Sequence, residues 1–171
     1  MSGFIAIRTN FDRCTGCALC QLACAERHFG GYNPRRALLR VTHHRENLYH
    51  FPTVCHQCRN PYCAIVCPVT AITRNPDTGA MTVDPAVCIG CGLCARYCPI
   101  DMIHLDPESK KSVKCDLCGG DPACVAACPT GALEIVRVER SFEDTGENTG
   151  ETRSEATTEP PVTPKTEDHH E

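Results

Sequence analysis

The chain has 171 residues, with 16 cysteines, no tryptophan and a formal net charge of −4. Residues 1–140 hold 15 Lys and Arg against 12 Asp and Glu, whereas residues 141–171 hold 2 against 9, so the acidity is concentrated at the end of the chain. This balance excludes the strongly basic surface of a nucleic-acid-binding protein, and no apolar stretch approaches the ~20 residues of a membrane-spanning helix.

The first segment, MSGFIAIRTNFDRC, predicts the compartment. It has no basic region followed by a long apolar run, so we expect no secretory signal and a cytoplasmic location, with export on a partner that carries a signal left open. In a reducing compartment, so many cysteines indicate metal ligands and not disulfides. Bound metal would also stabilise a chain with few large apolar side chains.

Four short runs contain every cysteine of the chain. Each run has the order Cys-x2-Cys, a gap of two to five residues, and Cys-x3-Cys, and the last three runs end in Cys-Pro. The runs are CTGCALCQLAC (14–24), CHQCRNPYCAIVC (55–67), CIGCGLCARYC (88–98) and CDLCGGDPACVAAC (115–128). A pattern repeated in this way predicts duplication of a small unit.

Alternating apolar residues outside the runs predict short strands. GFIAIRTN predicts an opening strand, and TAITR and AMTVD around the turn sequence NPDTG predict a β-hairpin between the second and third runs. PIDMIHLDPESKKSVK predicts a second hairpin and PTGALEIVRVER a closing strand. The x3 segments with their flanks, QLACAERH and ARYCPIDM, predict helices of one or two turns. Residues 141–171, rich in Glu, Thr and Pro, predict a disordered acidic tail.

The spacing of the cysteines predicts iron–sulfur clusters. Three cysteines on one turn can ligate three irons of a [4Fe–4S] cube, and the cysteine after the x3 gap then ligates a neighbouring cube. Runs must therefore be used in pairs, and the sixteen cysteines supply the ligands of four clusters. The outer strands favour an inner module of the second and third runs nested within an outer module of the first and fourth. Sequential pairing, first with second and third with fourth, also satisfies the spacing.

Zinc is the main alternative to iron. Sixteen thiols could form four zinc sites of four thiolates each. Zinc sites normally combine two separated Cys-x2-Cys pairs, whereas here three cysteines share one turn in the first and third runs. This spacing favours the cube.

Some residues outside the cysteines also have predicted roles. Three glycines flank the cluster turns and are expected to give the backbone room beside sulfur: Gly16, Gly90 and Gly92. Lys110, Lys111 and Lys114 predict a solvated basic patch that could steer an acidic partner. His56 is expected to cover a cluster, and the polar segment VTHHRENLYHFP is expected to lie on the surface.

The runs, with CHQCRNPYC, CIGCGLC and KCDLC…PACVAACPTGAL, resemble the four-cluster, ferredoxin-like iron–sulfur subunits of molybdenum and tungsten oxidoreductases over residues 4–138. The resemblance implies an α+β fold of residues 1–140, with two nested bacterial-ferredoxin-like modules of short β-hairpins and short helices. The inner module would span about 52–106, and the outer about 4–30 plus 107–138. The implied outer ligand sets are Cys14, Cys17, Cys20 with Cys128, and Cys24 with Cys115, Cys118, Cys124. The implied inner sets are Cys55, Cys58, Cys63 with Cys98, and Cys67 with Cys88, Cys91, Cys94.

The resemblance implies an electron-transfer subunit and not an enzyme. Four [4Fe–4S] clusters would relay single electrons between a large catalytic subunit and another redox partner. The stretch CTGCALCQLACAERHFGGYNPRRALLRV is similar to small subunits of tungsten-dependent aldehyde oxidoreductases, which makes such an enzyme the first candidate partner and a molybdopterin enzyme the second.

The other redox partner would be a flavin or NAD subunit, a ferredoxin, or further copies of the chain. No phosphate-binding glycine loop and no nucleophile beside a base is visible in the sequence, so no catalytic residue is predicted. A free-standing or self-assembling polyferredoxin is the alternative function, followed by a zinc-binding structural module.

Overall fold

The computed structural model describes residues 4–46 and 48–138, which fall within the unit Met1–Arg140. The tail predicted for residues 141–171 lies outside the described residues. The helices and strands, in chain order, are β1 (Phe4–Thr9), α1 (Leu19–Phe29), β2 (Arg40–His44), β3 (Tyr49–Thr53), α2 (Tyr62–Ile65), β4 (Ile72–Arg74), β5 (Met81–Val83), α3 (Leu93–Arg96), β6 (Ile103–Leu105), β7 (Ser112–Lys114), α4 (Ala123–Ala126) and β8 (Leu133–Val138). Single 3-10 turns lie at Phe11–Arg13, Pro34–Arg36 and Leu117–Gly120.

The first and last strands pair with each other. β1 and β8 are antiparallel, in register from Phe4 opposite Val138 to Thr9 opposite Leu133. Ile7 and Leu133 are buried in the same apolar cluster, because alternate side chains of a strand point to one face. The predicted opening and closing strands are confirmed, and their pairing brings the two ends of the described chain together.

Two short hairpins follow the second and third cysteine runs, as predicted. β4 pairs with β5 and β6 pairs with β7, over three residues each. In the first turn the Asn75 side chain accepts hydrogen bonds from the backbone N–H groups of Asp77 and Thr78. In the second, the Asp106 carboxylate accepts from the N–H and the hydroxyl of Ser109. These acceptors satisfy backbone groups that the tight turns leave unpaired.

The helices lie within or beside the Cys-x3-Cys segments. α2, α3 and α4 have four residues each, which lies within the predicted length of one or two turns. α1 is longer than predicted, with eleven residues. The other runs place a proline directly after their last cysteine, and the residue before a proline is disfavoured in a helix. The first run has Ala25 at that position, so α1 continues until Gly30, whose φ of 63° ends it.

The β2–β3 hairpin was not predicted. The two strands pair from Arg40 opposite Thr53 to His44 opposite Tyr49, within the segment expected only to be polar surface. Val41 and Pro52 are its buried residues, so the apolar alternation that indicates a strand is almost absent. Tertiary contacts hold this hairpin in place: Val41 is buried in an apolar cluster with residues of β1 and β8, and the ring centroid of Phe51 lies 5.1 Å from that of Phe11.

Two small apolar clusters form the core, and cysteines belong to both. The larger joins residues of β1, β2, β8 and α1 with the thiols of Cys20, Cys24 and Cys124. The smaller joins Ile72, Met81 and Ile103 with other thiols. The stability of such a core depends on what its thiols bind. Among the described helices, none has the length and apolar character needed to cross a membrane.

Candidate cluster-binding sites

All sixteen cysteines lie in the described residues, and none of them forms a disulfide. The structure gathers them into four groups, named here sites A to D. Site A has Cys14, Cys17, Cys20 and Cys128; site B has Cys24, Cys115, Cys118 and Cys124; site C has Cys55, Cys58, Cys63 and Cys98; site D has Cys67, Cys88, Cys91 and Cys94. These groups are the four sets implied by the family resemblance, and their role as ligands remains a prediction.

Site A is an apolar cavity of about 310 Å³, including its open mouth, between the first run and the strands β2, β3 and β8. Cys128 enters it from the far end of the sequence. Burial raises the pKa of Cys20 to about 11. Burial alone would also raise the pKa of Cys128, but hydrogen bonds from the backbone of Leu133 and from Thr130 outweigh burial and lower it. The site therefore already contains donors that favour a thiolate at Cys128.

Site B lies where α1 packs against α4. The backbone N–H of Leu38 donates to the Cys24 sulfur over 3.3 Å. Burial, reinforced by the neighbouring thiols, raises the pKa of Cys124. His28 Nε2 lies 3.5 Å from the sulfur of Cys118. Buried thiols of this kind lose their protons when they bind metal, which supplies the missing positive charge.

Site C has a cavity of about 400 Å³ including its open mouth, larger than the cavities of sites A and D. Its lining includes its four thiols, Met81, Gln57 and Lys114. Burial raises the pKa of Cys63, and the ammonium group of Lys114 opposes that rise. A cation therefore faces this site from within the protein.

Site D is a cavity of about 270 Å³, measured in the same way, beside the β6–β7 hairpin. The Ser112 hydroxyl oxygen lies 3.0 Å from the sulfur of Cys94. Burial alone would raise the pKa of Cys88, but hydrogen bonds from Ser112 and Gly90 and the charge of Lys111 outweigh it and lower the pKa. Site D is thus rich in groups that stabilise negative charge on sulfur.

A short backbone feature repeats after the Cys-Pro pairs. The N–H of Ala71 donates to the sulfur of Cys67 over 3.3 Å, and the N–H of Met102 donates to that of Cys98 over 3.4 Å. The residue three positions after each Cys-Pro cysteine has a left-handed conformation: Thr70 at φ 53°, Asp101 at φ 53° and Gly131 at φ 63°. This conformation turns the following N–H back toward the sulfur.

The donor sets suit [4Fe–4S] clusters. Each site combines three cysteines of one run with one cysteine of another and has hydrogen-bond donors near sulfur, and sites A, C and D surround mostly apolar cavities. These are the features of cluster ligation. A zinc ion would bind four thiolates at about 2.3 Å from each sulfur. Zinc sites normally combine two separated Cys-x2-Cys pairs, whereas three of the four cysteines at each of sites A, C and D come from one run.

The four sites follow one another through the molecule. The thiol of Cys20 in site A is among the neighbours that raise the pKa of Cys124 in site B. The thiol of Cys55 in site C likewise raises the pKa of Cys115 in site B. Thiols of sites C and D pack in one apolar cluster. The spatial order is therefore A, B, C, D.

Both ends of this series reach the surface. Of the sixteen cysteines, all of which are described, only Cys17 of site A and Cys91 of site D are exposed. Exposed apolar side chains accompany each of them along the chain, Leu19 with 44% exposed and Ile89 with 62%. Sites B and C have no exposed cysteine.

The predicted basic patch is wrong for two of its three lysines. Lys110 is exposed, but Lys111 is half-buried, with its ammonium hydrogen-bonded to the carbonyl of Cys88. Lys114 is 5% exposed. The reason is the strand β7, whose alternation turns residues 112 and 114 inward while the sequence shows only a cluster of lysines.

Sequence reasoning also missed Gln57 and Ser112, which sit beside sulfur-bearing loops. A serine in a strand and a glutamine in a Cys-x2-Cys turn carry no signal of their role, since only the folded arrangement brings them to a site. At Gly90 the backbone N–H donates to the sulfur of Cys88, as expected of a glycine beside a cysteine turn. A Cβ atom at this position would lie 2.3 Å from the carbonyl oxygen of Lys110. His56 is exposed.

Comparison with known proteins gives consistent results. A family model described as a 4Fe-4S dicluster domain matches residues 46–138, and a 4Fe-4S binding domain matches residues 11–27. The putative electron transport protein YsaA of Escherichia coli is 37% identical over 138 residues, which cover 75% of this chain and 87% of the relative. The thiosulfate reductase electron transfer subunit PhsB of Salmonella typhi is 35% identical over 142 residues, which cover 75% of this chain and 73% of the relative.

Among solved structures, a chain of the active site complex BamBC of benzoyl coenzyme A reductase is similar, with a TM-score of 0.50 and 25% sequence identity. The match covers 82% of this chain and 81% of that one.

Proposed function

The chain belongs to the family of 4Fe-4S ferredoxin-like electron-transfer subunits of oxidoreductases, and we propose that it holds four [4Fe–4S] clusters, one at each of sites A to D. The protein transfers electrons and is not itself the catalytic subunit. Two different runs contribute to every site, so each ligand set joins distant parts of the chain.

The observation that carries the proposed relay is the order of the sites. Sites A, B, C and D form a series in which only the terminal sites have an exposed cysteine, Cys17 and Cys91. A series with buried middle sites and two accessible ends is suited to accept electrons at one face and deliver them at another. We assign one redox partner to the face around each exposed thiol.

The chemistry divides between cofactor and protein. When bound, a [4Fe–4S] cluster supplies reversible one-electron redox chemistry. The protein holds the thiolates in place, excludes water from sites B and C, and donates hydrogen bonds to sulfur. Donors such as the Ala71 N–H and the Ser112 hydroxyl favour the more negative, reduced state at the sulfur they contact.

We propose two nested modules within a domain of residues 1–140. The inner module, about 52–106, would hold sites C and D, and the outer, about 4–30 plus 107–138, would hold sites A and B. The β1–β8 ladder and the packing of α1 on α4 support the outer module. The packing of α2 on α3 supports the inner one. Residues 141–171 would follow as an acidic tail.

The proposed catalytic partner is a tungsten-dependent aldehyde oxidoreductase, with a molybdopterin enzyme as the second candidate. The similarity of the first run and its flank to the small subunits of the tungsten enzymes supports this choice. The structural relative is likewise a chain of an enzyme complex, the active site complex BamBC of benzoyl coenzyme A reductase. On the other face we propose a flavin or NAD subunit, a ferredoxin, or another copy of the chain. The cytoplasm is the proposed compartment, because it keeps sixteen thiols reduced for cluster binding.

Anaerobic purification from the native cell, followed by metal and sulfide analysis, tests this function. We expect about sixteen iron and about sixteen sulfide per chain, together with a co-eluting large subunit that contains tungsten or molybdenum. Iron without any partner would support a free-standing polyferredoxin. About four zinc per chain and no iron would refute electron transfer.

A further inference from the structure

Lys114 is a charged side chain buried in the centre of the described fold. It is 5% exposed. Its ammonium group donates to the carboxamide oxygen of Gln57 over 3.2 Å, to the carbonyl of Cys115 over 2.9 Å, and to the carbonyl of Met81. An ammonium has three N–H donors, so all of them are used.

The position of Lys114 relates it to two sites. The side chain lines the cavity of site C, and the residue precedes Cys115 of site B, to whose carbonyl it is bonded. Gln57 of the Cys55–Cys58 loop also reaches across, because its amide donates to the same carbonyl over 2.9 Å. Lys114 thus lies at the junction where the series of sites passes from C to B.

The charge of Lys114 is not matched by a carboxylate. The ion pairs found among the described residues involve Arg8, His28 and Arg36, and none involves Lys114. The three groups that accept its hydrogen bonds are neutral amide oxygens. Burying a cation without an opposite charge is unfavourable, so a negative partner is needed nearby. The thiols of sites B and C are the groups that become negative when they bind iron.

We propose that Lys114 sets the reduction potentials at sites B and C, by placing one positive charge between them and so stabilising an electron at the crossing from the inner to the outer module. This inference rests on the cluster assignment proposed above. The step is a one-electron transfer: the donor, a catalytic subunit or second redox partner, loses one electron, and one negative charge is added beside the ammonium. No bond forms or breaks, and no proton moves.

Redox titration of the cluster-loaded full chain, followed by electron paramagnetic resonance with dithionite as reductant, tests the proposal. In Lys114→Met, which removes the charge and keeps an unbranched chain, two of the four transitions should move to more negative potential. At a fixed solution potential near the transition, the ratio of reduced to oxidised cluster should fall about tenfold, the order expected for a partly screened unit charge. Lys114→Arg, which keeps the charge, should retain the wild-type potentials.

Lys110→Met is the matched control, since it removes the same charge from the exposed turn of the same hairpin. It should leave all four transitions in place. Wild-type potentials in a fully loaded Lys114→Met protein would overturn the proposal, as would a shift of the same size in Lys110→Met. A purely structural role for Lys114 would alter cluster content without selecting two transitions.

If the Lys114→Met variant loses iron, the redox titration of the Gln57→Glu variant tests the proposal in its place. A carboxylate of the same size next to the ammonium cancels its charge, so the same two transitions should move to more negative potential. Unchanged potentials in Gln57→Glu would overturn the proposal. The iron content of the wild-type chain tests the proposed function separately, so a failure of that function is distinguishable from a failure of the role of Lys114.

Discussion

At the scale of the residue, backbone conformation decides how closely the chain approaches sulfur. Thr70, Asp101 and Gly131 share a left-handed conformation at equivalent positions after Cys-Pro, although only one of them is glycine. A left-handed conformation is unfavourable for residues with a Cβ atom, so the backbone is strained at Thr70 and Asp101. The same conformation directs the N–H of the next residue at sulfur. Gly90 tolerates no side chain at all, because an added Cβ atom would lie 2.3 Å from the carbonyl oxygen of Lys110.

The comparison of Gly90→Ala with Gly119→Ala tests this limit. The two glycines have φ values of 71° and 69°, so each variant should lose about 1–2 kcal/mol of folding free energy from the left-handed backbone. Only at Gly90 would the new Cβ meet a backbone atom, at 2.3 Å, whereas nothing lies within 4 Å at Gly119. We expect Gly90→Ala to lose the cluster of site D, about four iron per chain, and Gly119→Ala to retain it. Iron analysis measures the difference, and equal losses would contradict the steric account.

At the scale of the element, one ion-pair network connects the end of α1 to the β6–β7 turn. The Arg36 guanidinium lies 2.8 Å from Asp106 and 2.7 Å from Glu108, and stacks over the ring of Phe29 at 4.3 Å. The Asp106 carboxylate is 7% exposed and also holds the turn through Ser109. Hydrogen bonds from the Ser109 backbone, together with its hydroxyl and Arg36, hold the pKa of Asp106 below its ordinary value.

Asp106→Ala should destabilise the fold by about 2 kcal/mol, since it leaves the half-buried Arg36 without its closest buried partner and opens the turn. The control is Glu108→Ala, whose carboxylate is 73% exposed and should contribute less than about 1 kcal/mol. Apparent melting temperatures of the loaded proteins measure both. Equal destabilisation by the two variants would contradict the network.

The pH dependence of the Asp106 contribution follows from its lowered pKa. A depressed pKa in the folded state gives stability that is complete above the unfolded value, about 3.9, and that is lost as pH falls through the folded value. The difference in melting temperature between wild type and Asp106→Ala should therefore stay constant from pH 8 to about pH 5. A difference that grew or vanished within this range would show that another group is responsible.

The pairing of runs is also a property of elements, because the β1–β8 ladder brings the first run to the fourth. If Cys14 and Cys128 ligate the same cluster, Cys14→Ala, Cys128→Ala and the double variant should each lose about four iron per chain. Cys14→Ala combined with Cys24→Ala should lose about eight, since these neighbours would belong to sites A and B. Iron analysis and electron paramagnetic resonance read out the losses. A loss of about eight iron per chain in the Cys14 and Cys128 double variant would favour sequential pairing.

At the scale of the whole molecule, charge and cofactor are linked. Residues 1–140 carry a formal +3, and four clusters of about −2 each, with their thiolates, would change this to about −5. In the proposed four-cluster protein, the scattered arginines and lysines would partly offset the negative charge of the clusters. The acidic residues 141–171 contain no cysteine, since the last cysteine of the chain is Cys128.

Removal of residues 141–171 should therefore leave cluster content unchanged, at about sixteen iron per chain. Metal analysis of the shortened chain, expressed and loaded beside the full chain, provides the test. A loss of iron from the shortened chain would extend the cluster-binding domain beyond residue 140.

The sequence by itself determined the cofactor class, the family, the strands β1 and β8 and the hairpins after the second and third runs, because cysteine spacing, alternating apolar residues and turn chemistry are local properties. Spacing alone left two pairings of the runs open, and the tertiary structure decided which thiols share a cavity, because that depends on strand pairing between residues more than a hundred positions apart. The β2–β3 hairpin and the burial of Lys114 also came only from the structure. Both depend on what packs against a segment. Three lysines close together in a sequence do not reveal whether a strand turns one of them toward solvent or toward the cysteine sites.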